Sequence, residues 1–156
     1  MRELEKLALA VSPGQRVEVS DVEALTARSS ERRAWSLADA VLGGDEQAAV
    51  RMYLALRSQG ERLPGLIYWM SQRLRTALDV AGALERGEPP AQIKRRLRMP
   101  SRAADGLIAD AGRRGAERLR YDIEEIADLE LASRGGGPVA GGEDSAGLRA
   151  LQRMAG

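Results

Sequence analysis

The sequence predicts an all-α protein, a helical bundle, and three observations carry that prediction. Aromatic residues make up only 3% of the chain and Phe is absent, so a core has to come from Leu, Ala, Val, Ile and Met, most of which tolerate or favour helix. Apolar residues recur at i, i+3, i+4 and i+7 along most of the length. Between these stripes stand Gly and Pro clusters of the kind that end helices. With 156 residues, 44% of them hydrophobic, such a chain buries roughly 68–70% of its unfolded surface and needs no disulfide or metal to hold it.

The elements follow in order. Leu4, Leu7 and Ala8 share one face of a short helix over Met1–Ala10, which Ser12-Pro13-Gly14 stops. Arg16-Val17-Glu18-Val19 is the one plausible extended stretch. Ser20-Asp21-Val22-Glu23 is a capping box that opens a helix through Ala27, and the charged run 28–33 then separates this piece from the rest. From Ala34 a helix carrying Trp35, Leu37, Ala38, Val41 and Leu42 runs to the glycine stop Gly43-Gly44. Asp45 caps the next helix, in which Ala49, Met52, Tyr53 and Leu56 face inward and which Gly60 ends. Leu63–Arg86 is the longest element, about six turns, with Pro64 in its first turn and a stripe through Leu66, Met70, Leu74, Ala77, Ala81 and Leu84. Gly87-Glu88-Pro89-Pro90 closes it. Ala91–Leu97 forms a short helix, Met99-Pro100-Ser101 turns the chain, and a further helix runs through Arg113. Ala116–Ser133 carries the last long stripe, through Leu119, Ile123, Ile126 and Ala127. Gly135-Gly136-Gly137-Pro138 ends it, a flexible loop spans 137–144, and Leu148, Leu151 and Met154 mark a last helix over 145–155.

Composition excludes most chemistry. The chain has neither Cys nor His, which removes thiolate nucleophiles, disulfides, the Ser-His-Asp triad and imidazole metal sites together. Serines therefore have no histidine base, and no Ser-x-x-Lys spacing replaces one. Gly43-Gly44 and Gly135–Gly137 lack the phosphate-loop pattern and follow no strand, so they read as helix stops. No catalytic residue, cofactor, metal or small-molecule substrate is expected. The net charge of +1 supplies no global field for nucleic acid. No apolar run reaches the roughly 18–20 residues of a membrane span, and Met1–Val11 carries Glu3, Glu5 and Lys6 where a signal peptide is apolar; a soluble, cytoplasmic protein is expected.

Local signals narrow to a few. Lys94, Arg95, Arg96, Arg98 and Arg102 lie across a helix–turn–helix pattern over 91–113, so a helix-turn-helix DNA-binding protein is the alternative reading. Two short helices joined by a Pro turn imitate that motif readily, and a solvated or partner-facing surface accounts for the charge as well. The acidic run Asp122, Glu124, Glu125, Asp128 and Glu130 is scattered around a helix, with Arg118 and Arg120 placed to pair with Asp122 and Glu124 at i, i+4; a solvated face is expected there rather than a metal site. Trp35, Tyr68 and Trp69 read as core or interface anchors. The exposed parts of Leu63–Arg86 and Ala116–Arg134, with Tyr68, Trp69, Arg73 and Arg75, are the expected interaction surface.

Several phrases, taken in order, resemble a known family. Glu3-Leu4-Glu5-Lys6-Leu7-Ala8-Leu9, a Gly turn, and then Val19-Ser20-Asp21-Val22-Glu23-Ala24-Leu25 look like the end of a small helical lid domain. Trp35-Ser36-Leu37-Ala38-Asp39-Ala40-Val41-Leu42-Gly43-Gly44-Asp45 resembles the aromatic-led opening of a collar domain. Gln59-Gly60-Glu61 before Pro64, with Arg73-Leu74-Arg75 beyond, and Ile126-Ala127-Asp128-Leu129-Glu130-Leu131 followed by Arg134-Gly135, are similar to later phrases of the same domain. The family is the delta subunit of the bacterial DNA polymerase III clamp loader, and the resemblance covers about residues 3–155.

The resemblance implies a C-terminal part of such a subunit. Residues 1–31 would be the tail of an AAA+-type lid domain and residues 32–155 the collar, which joins the clamp-loader subunits into the ring that loads the sliding clamp onto DNA during replication. It implies partners: the delta-prime and gamma/tau subunits through the collar, DNA through the assembled complex, and the sliding clamp only through an N-terminal domain that this sequence does not contain. The implied role is a non-catalytic scaffold within a DNA-directed DNA polymerase, a nucleotidyltransferase whose chemistry resides elsewhere.

Overall fold

The computed structural model describes residues 19–135 and 142–156. Every element among them is a helix: α1 (Val19–Gly43), α2 (Glu46–Ser58), α3 (Leu63–Glu85), α4 (Pro90–Arg96), α5 (Ser101–Ser133) and α6 (Gly142–Ala155). The chain divides into two compact units, Met1–Arg33 and Ala34–Gly156. The described part of the first is the beginning of α1; the expected Met1–Ala10 helix and residues 16–18 of the expected extended stretch lie outside the described residues.

Two boundaries differ from expectation. α1 begins at Val19 and continues through 28–33, where the charged run is expected to interrupt it. That run contains neither Gly nor Pro, and Arg and Glu are good helix formers, so polarity alone supplies no break. α6 begins at Gly142, so residues 142–144 of the expected loop are helical. Glu143 and Asp144 occupy its first turn, where negative charge meets the positive end of the helix dipole.

The second unit has one core. α3 lies along α5 as the most extensive helix pair, α6 packs on α5 and α2, and α4 bridges α3 and α5. Leu37, Val41 and Leu42 of α1 join Leu63, Leu66, Leu74 and Val80 of α3, and Leu107, Leu119 and Ile126 of α5, in a single buried cluster. Each fully buried Leu or Ile side chain contributes about 1.5–3 kcal/mol. Tyr53 and Leu56 of α2 are buried as the spacing implies, while Met52, placed on the same face by i+3 counting, is 38% exposed.

Local chemistry sets the helix ends. The Asp45 carboxylate accepts a hydrogen bond from the Ala48 amide at 2.8 Å, an N-cap as expected. Within α5 the backbone of Gly115 stands at φ 74°, ψ 160°, a conformation essentially restricted to glycine. The break expected between Arg113 and Ala116 therefore falls there, and Glu85 of α3 accepts the Ala116 amide at 2.8 Å, capping the second half of α5.

Candidate protein-interaction surface

The 3.6-residue period of α3 sorts its side chains. Leu66, Met70, Leu74, Ala77 and Ala81 turn inward, and Tyr68, Gln72, Arg75 and Asp79, at i, i+4, i+7 and i+11, form an exposed stripe on another face. Tyr68 is 55% exposed, a large apolar ring presented to solvent. It meets Trp69 edge-on at 4.9 Å between ring centroids, and Trp69 meets Trp35 of α1 at 6.4 Å, also edge-on. Both distances suit favourable aromatic pairs. The surface tyrosine thus stands on a ladder of rings that reaches the core, since Trp69 packs partly buried against the main cluster.

Arg73 is expected on this surface and is instead 6% exposed. Its Nε donates to the Asp39 carboxylate at 2.6 Å, its guanidinium lies 5.7 Å from the Trp35 ring, and its Nη1 reaches the Met99 sulfur at 3.7 Å. The reason is position: residue 73 falls beside Leu74 and three after Met70, at the edge of the inward stripe. Arg75, two residues on, is exposed.

A shallow groove of about 240 Å³ runs beside the stripe, between Pro64, Tyr68 and Arg75 of α3 and Glu130 and Arg134 at the end of α5. Arg134 pairs with Glu130 at 2.5 Å, and Leu131 nearby in sequence is 57% exposed. Aromatic and Arg side chains around a groove are the composition that interface hot spots favour.

The basic residues of the alternative reading are dispersed in their commitments. Lys94 binds Asp105 through both carboxylate oxygens, at 2.5 and 2.7 Å, and Arg96 pairs with Glu88 at 3.1 Å. Arg95, Arg98 and Arg102 are exposed. The reading helix of that alternative, the first part of α5, turns Ala104, Leu107 and Ala111 into the protein.

The acidic run holds the largest departure from expectation. Asp122, expected on a solvated face, is fully buried. It forms an ion pair with Arg114, whose side chain is 9% exposed, and a second with Arg118 at 3.3 Å. Arg114 also donates to the Leu42 carbonyl at 3.1 Å, to that of Val41 at 2.7 Å and to that of Met154 at 2.6 Å. One guanidinium therefore bonds carbonyls in the last turns of both α1 and α6, where a helix leaves such groups without intrahelical partners. Burial pushes the Asp122 carboxyl above its ordinary value, with Arg114 and then Arg118 pulling the other way. The sequence does carry a signal for this: Leu119, Asp122 and Ile126 lie at i, i+3 and i+7, which places the carboxylate on the apolar stripe. The expected Arg118–Asp122 pair is present; no Arg120–Glu124 pair forms.

A second polar cluster ties α6 to α2. Arg57 donates to Asp144 at 2.6 Å and to Glu143 at 3.2 Å, and the Tyr53 hydroxyl donates to Asp144 at 3.3 Å. Burial, then the Asp144 charge, raises the Tyr53 phenol to about 12. Among the described residues no cluster of acidic side chains is placed to hold a metal ion, and no helix is long and apolar enough to cross a membrane.

Comparison with known proteins then decides the family. Residues 31–137 match the family described as DNA polymerase III delta subunit, C-terminal domain. The chain belongs to this family. The matched span of the delta C-terminal domain runs from α1 to the end of α5 and contains the exposed stripe of α3 together with the buried Arg114–Asp122 pair. A solved structure, the DNA clamp loader delta protein of Bacillus subtilis, superposes with a TM-score of 0.66 over 99% of this chain, at 20% sequence identity. The shared property at that identity is the fold. The chain spans 44% of the length of that protein. No curated protein matches it.

Proposed function

We propose that this chain is the assembly part of a clamp-loader delta subunit, acting as a non-catalytic scaffold that binds other clamp-loader subunits, delta-prime and gamma/tau, in the cytoplasm. Residues 32–155 serve as the collar and residues 1–31 as the tail of a lid domain. Membership of the delta C-terminal family supports the role. The observation that carries the choice of surface is Tyr68, exposed yet held from beneath by Trp69 and Trp35, beside a groove flanked by Arg75 and Arg134. Preorganised aromatic anchors bind at low entropic cost because their rotamers are already fixed.

Size-exclusion chromatography with light scattering, on this chain mixed with the collar regions of delta-prime and gamma/tau from the same source, tests the reading. A defined mixed complex that Tyr68→Ala and Arg75→Ala weaken is the expected result. Absence of any complex with the wild-type chain, combined with a shift on short duplex DNA, would replace it by the DNA-binding reading centred on Lys94, Arg95, Arg96, Arg98 and Arg102.

A further inference from the structure

A cavity of about 540 Å³ opens between the end of α3, α4 and the second half of α5, within the size range of small-ligand sites. Its walls include Leu78, Ile93 and Leu97, and its lining holds three arginines, Arg86, Arg96 and Arg120, and one carboxylate, Asp79. The lining carries a charge of +2 by that count (3 − 1). Arg96 is engaged with Glu88. Arg86 and Arg120 have no ion-pair partner among the described residues.

The ordinary explanations for such arginines do not cover these two. Arg86 is the C-cap of α3, where a cation commonly bonds the terminal carbonyls, yet its side chain makes no such bond. It folds back along its own helix instead: a Cβ added at Gly82 would stand 3.2 Å from its Nη1. Glycine at that position leaves room for the guanidinium to lie against the helix at the cavity wall. Arg120 has Glu124 four residues on, the spacing of a helix ion pair, and does not pair with it. Both side chains are exposed and stand at the rim of a cleft with partly apolar walls, where the protein's low dielectric on one side strengthens their attraction for an anion.

We infer that this cavity binds a phosphate monoester group. A single carboxylate offers one charge and two oxygens to the two guanidinium groups without an ion-pair partner, Arg86 and Arg120, whereas a phosphate monoester carries about −1.5 to −2 at neutral pH and presents three acceptor oxygens. Guanidinium forks match that geometry. The site lies apart from the Tyr68 groove and does not depend on the assembly reading.

Isothermal titration of the whole chain with inorganic phosphate, with AMP, and with a short single-stranded DNA bearing or lacking a terminal phosphate tests the inference. Binding of phosphate and AMP is expected, weakened at least about tenfold by Arg86→Gln or by Arg120→Gln, since each removes a charge-assisted hydrogen bond. Gly82→Ala, which keeps every arginine and shifts the Arg86 guanidinium by tenths of an ångström, is expected to weaken binding less than Arg86→Gln does, with the thermal midpoint by circular dichroism slightly raised because Ala replaces Gly inside a helix. Tighter binding of the terminally phosphorylated DNA than of AMP would identify a nucleic-acid end as the source; equal or weaker binding would identify a free nucleotide or phosphate. Failure of every phosphate probe to bind, binding that the three variants leave unchanged, or binding only of a poly-glutamate peptide would each overturn the inference.

Discussion

Arg114 and Asp122 form an ion pair inside the protein, at the point where the C-terminal ends of α1 and α6 meet the break in α5. Arg113 bonds the Gly43 carbonyl and Arg118 those of Arg153 and Met154 as well, so neighbouring arginines of α5 together fasten two helices to a third. Arg114→Met is expected to destabilise the fold by about 3 kcal/mol, because it leaves the buried Asp122 carboxylate with Arg118 alone and takes the guanidinium from the Leu42, Val41 and Met154 carbonyls. Arg118→Ala, which removes a partner whose side chain is 38% exposed and its bonds to the Arg153 and Met154 carbonyls, should cost less, about 1–2 kcal/mol. Urea denaturation of the two variants measures the difference, and equal losses would assign the fastening to both arginines alike.

The same pair makes stability depend on pH in an unusual direction. Burial raises the folded-state value of Asp122 despite its arginine partners, so the folded protein holds this proton more tightly than the unfolded chain does. The resulting stability is complete below the ordinary carboxylate range and is lost as pH rises through the raised folded value. Asp122→Asn cannot ionise. The stability difference between wild type and this variant should therefore shift in favour of the variant as pH rises from about 3.5 to neutrality, read from urea midpoints. A difference independent of pH would show that Asp122 ionises at its ordinary value.

Gly115 and Glu85 together allow α5 to break and restart. Gly115→Ala forces a side chain into a glycine-only conformation and should cost about 1–3 kcal/mol. Glu85→Ala should cost about 1 kcal/mol through loss of the cap on Ala116. Thermal melts read both, and a Gly115→Ala variant as stable as wild type would mean that a continuous helix serves equally well.

On α3, exposure separates two arginines that look equivalent in sequence. Arg73→Ala should lower stability by about 1–2 kcal/mol, since it removes the packing of a buried guanidinium and its contact with the Trp35 ring, while Asp39, 47% exposed, stays solvated. Arg75→Ala should change stability by no more than about 0.5 kcal/mol and act only on association. Chemical denaturation and chromatography on the same samples distinguish the two effects.

The helical class, the elements from α2 to α5 and the break near Gly115 were legible because each rests on local chemistry: an apolar period, a cap, or a glycine or proline stop. The continuity of α1 through 28–33 was not, because a polar run is compatible with both a linker and an exposed helix, and only the tertiary partners of its neighbours decide. Arg73 and Asp122 escaped for a related reason. A charge at the edge of an apolar stripe reads as exposed until a more distant partner neutralises it: Asp39 of α1 lies 34 residues from Arg73, and Arg114 lies 8 residues from Asp122, across the break in α5. Asp144 reads as a loop residue in sequence because its partners, Tyr53 and Arg57, lie far back in the chain.

Those partners set the last prediction. A Cβ placed on Gly147 of α6 would stand 2.2 Å from the Tyr53 hydroxyl oxygen and 2.6 Å from the ring carbon that bears it, so α6 approaches α2 closely only because residue 147 has no side chain. Gly147→Ala should cost about 1–3 kcal/mol by overpacking, and adding Tyr53→Phe should not restore stability, because the ring carbon still clashes. The single variant Tyr53→Phe isolates the hydroxyl. In the folded protein that phenol ionises at about 12 rather than at its ordinary 10.0, so the stability it lends is present below pH 10 and is lost as pH rises toward 12. Wild type should accordingly weaken relative to Tyr53→Phe across that window, followed by helical circular dichroism during alkaline titration. Parallel curves for the two proteins would remove the Tyr53–Asp144 contact from the forces that hold α6 in place.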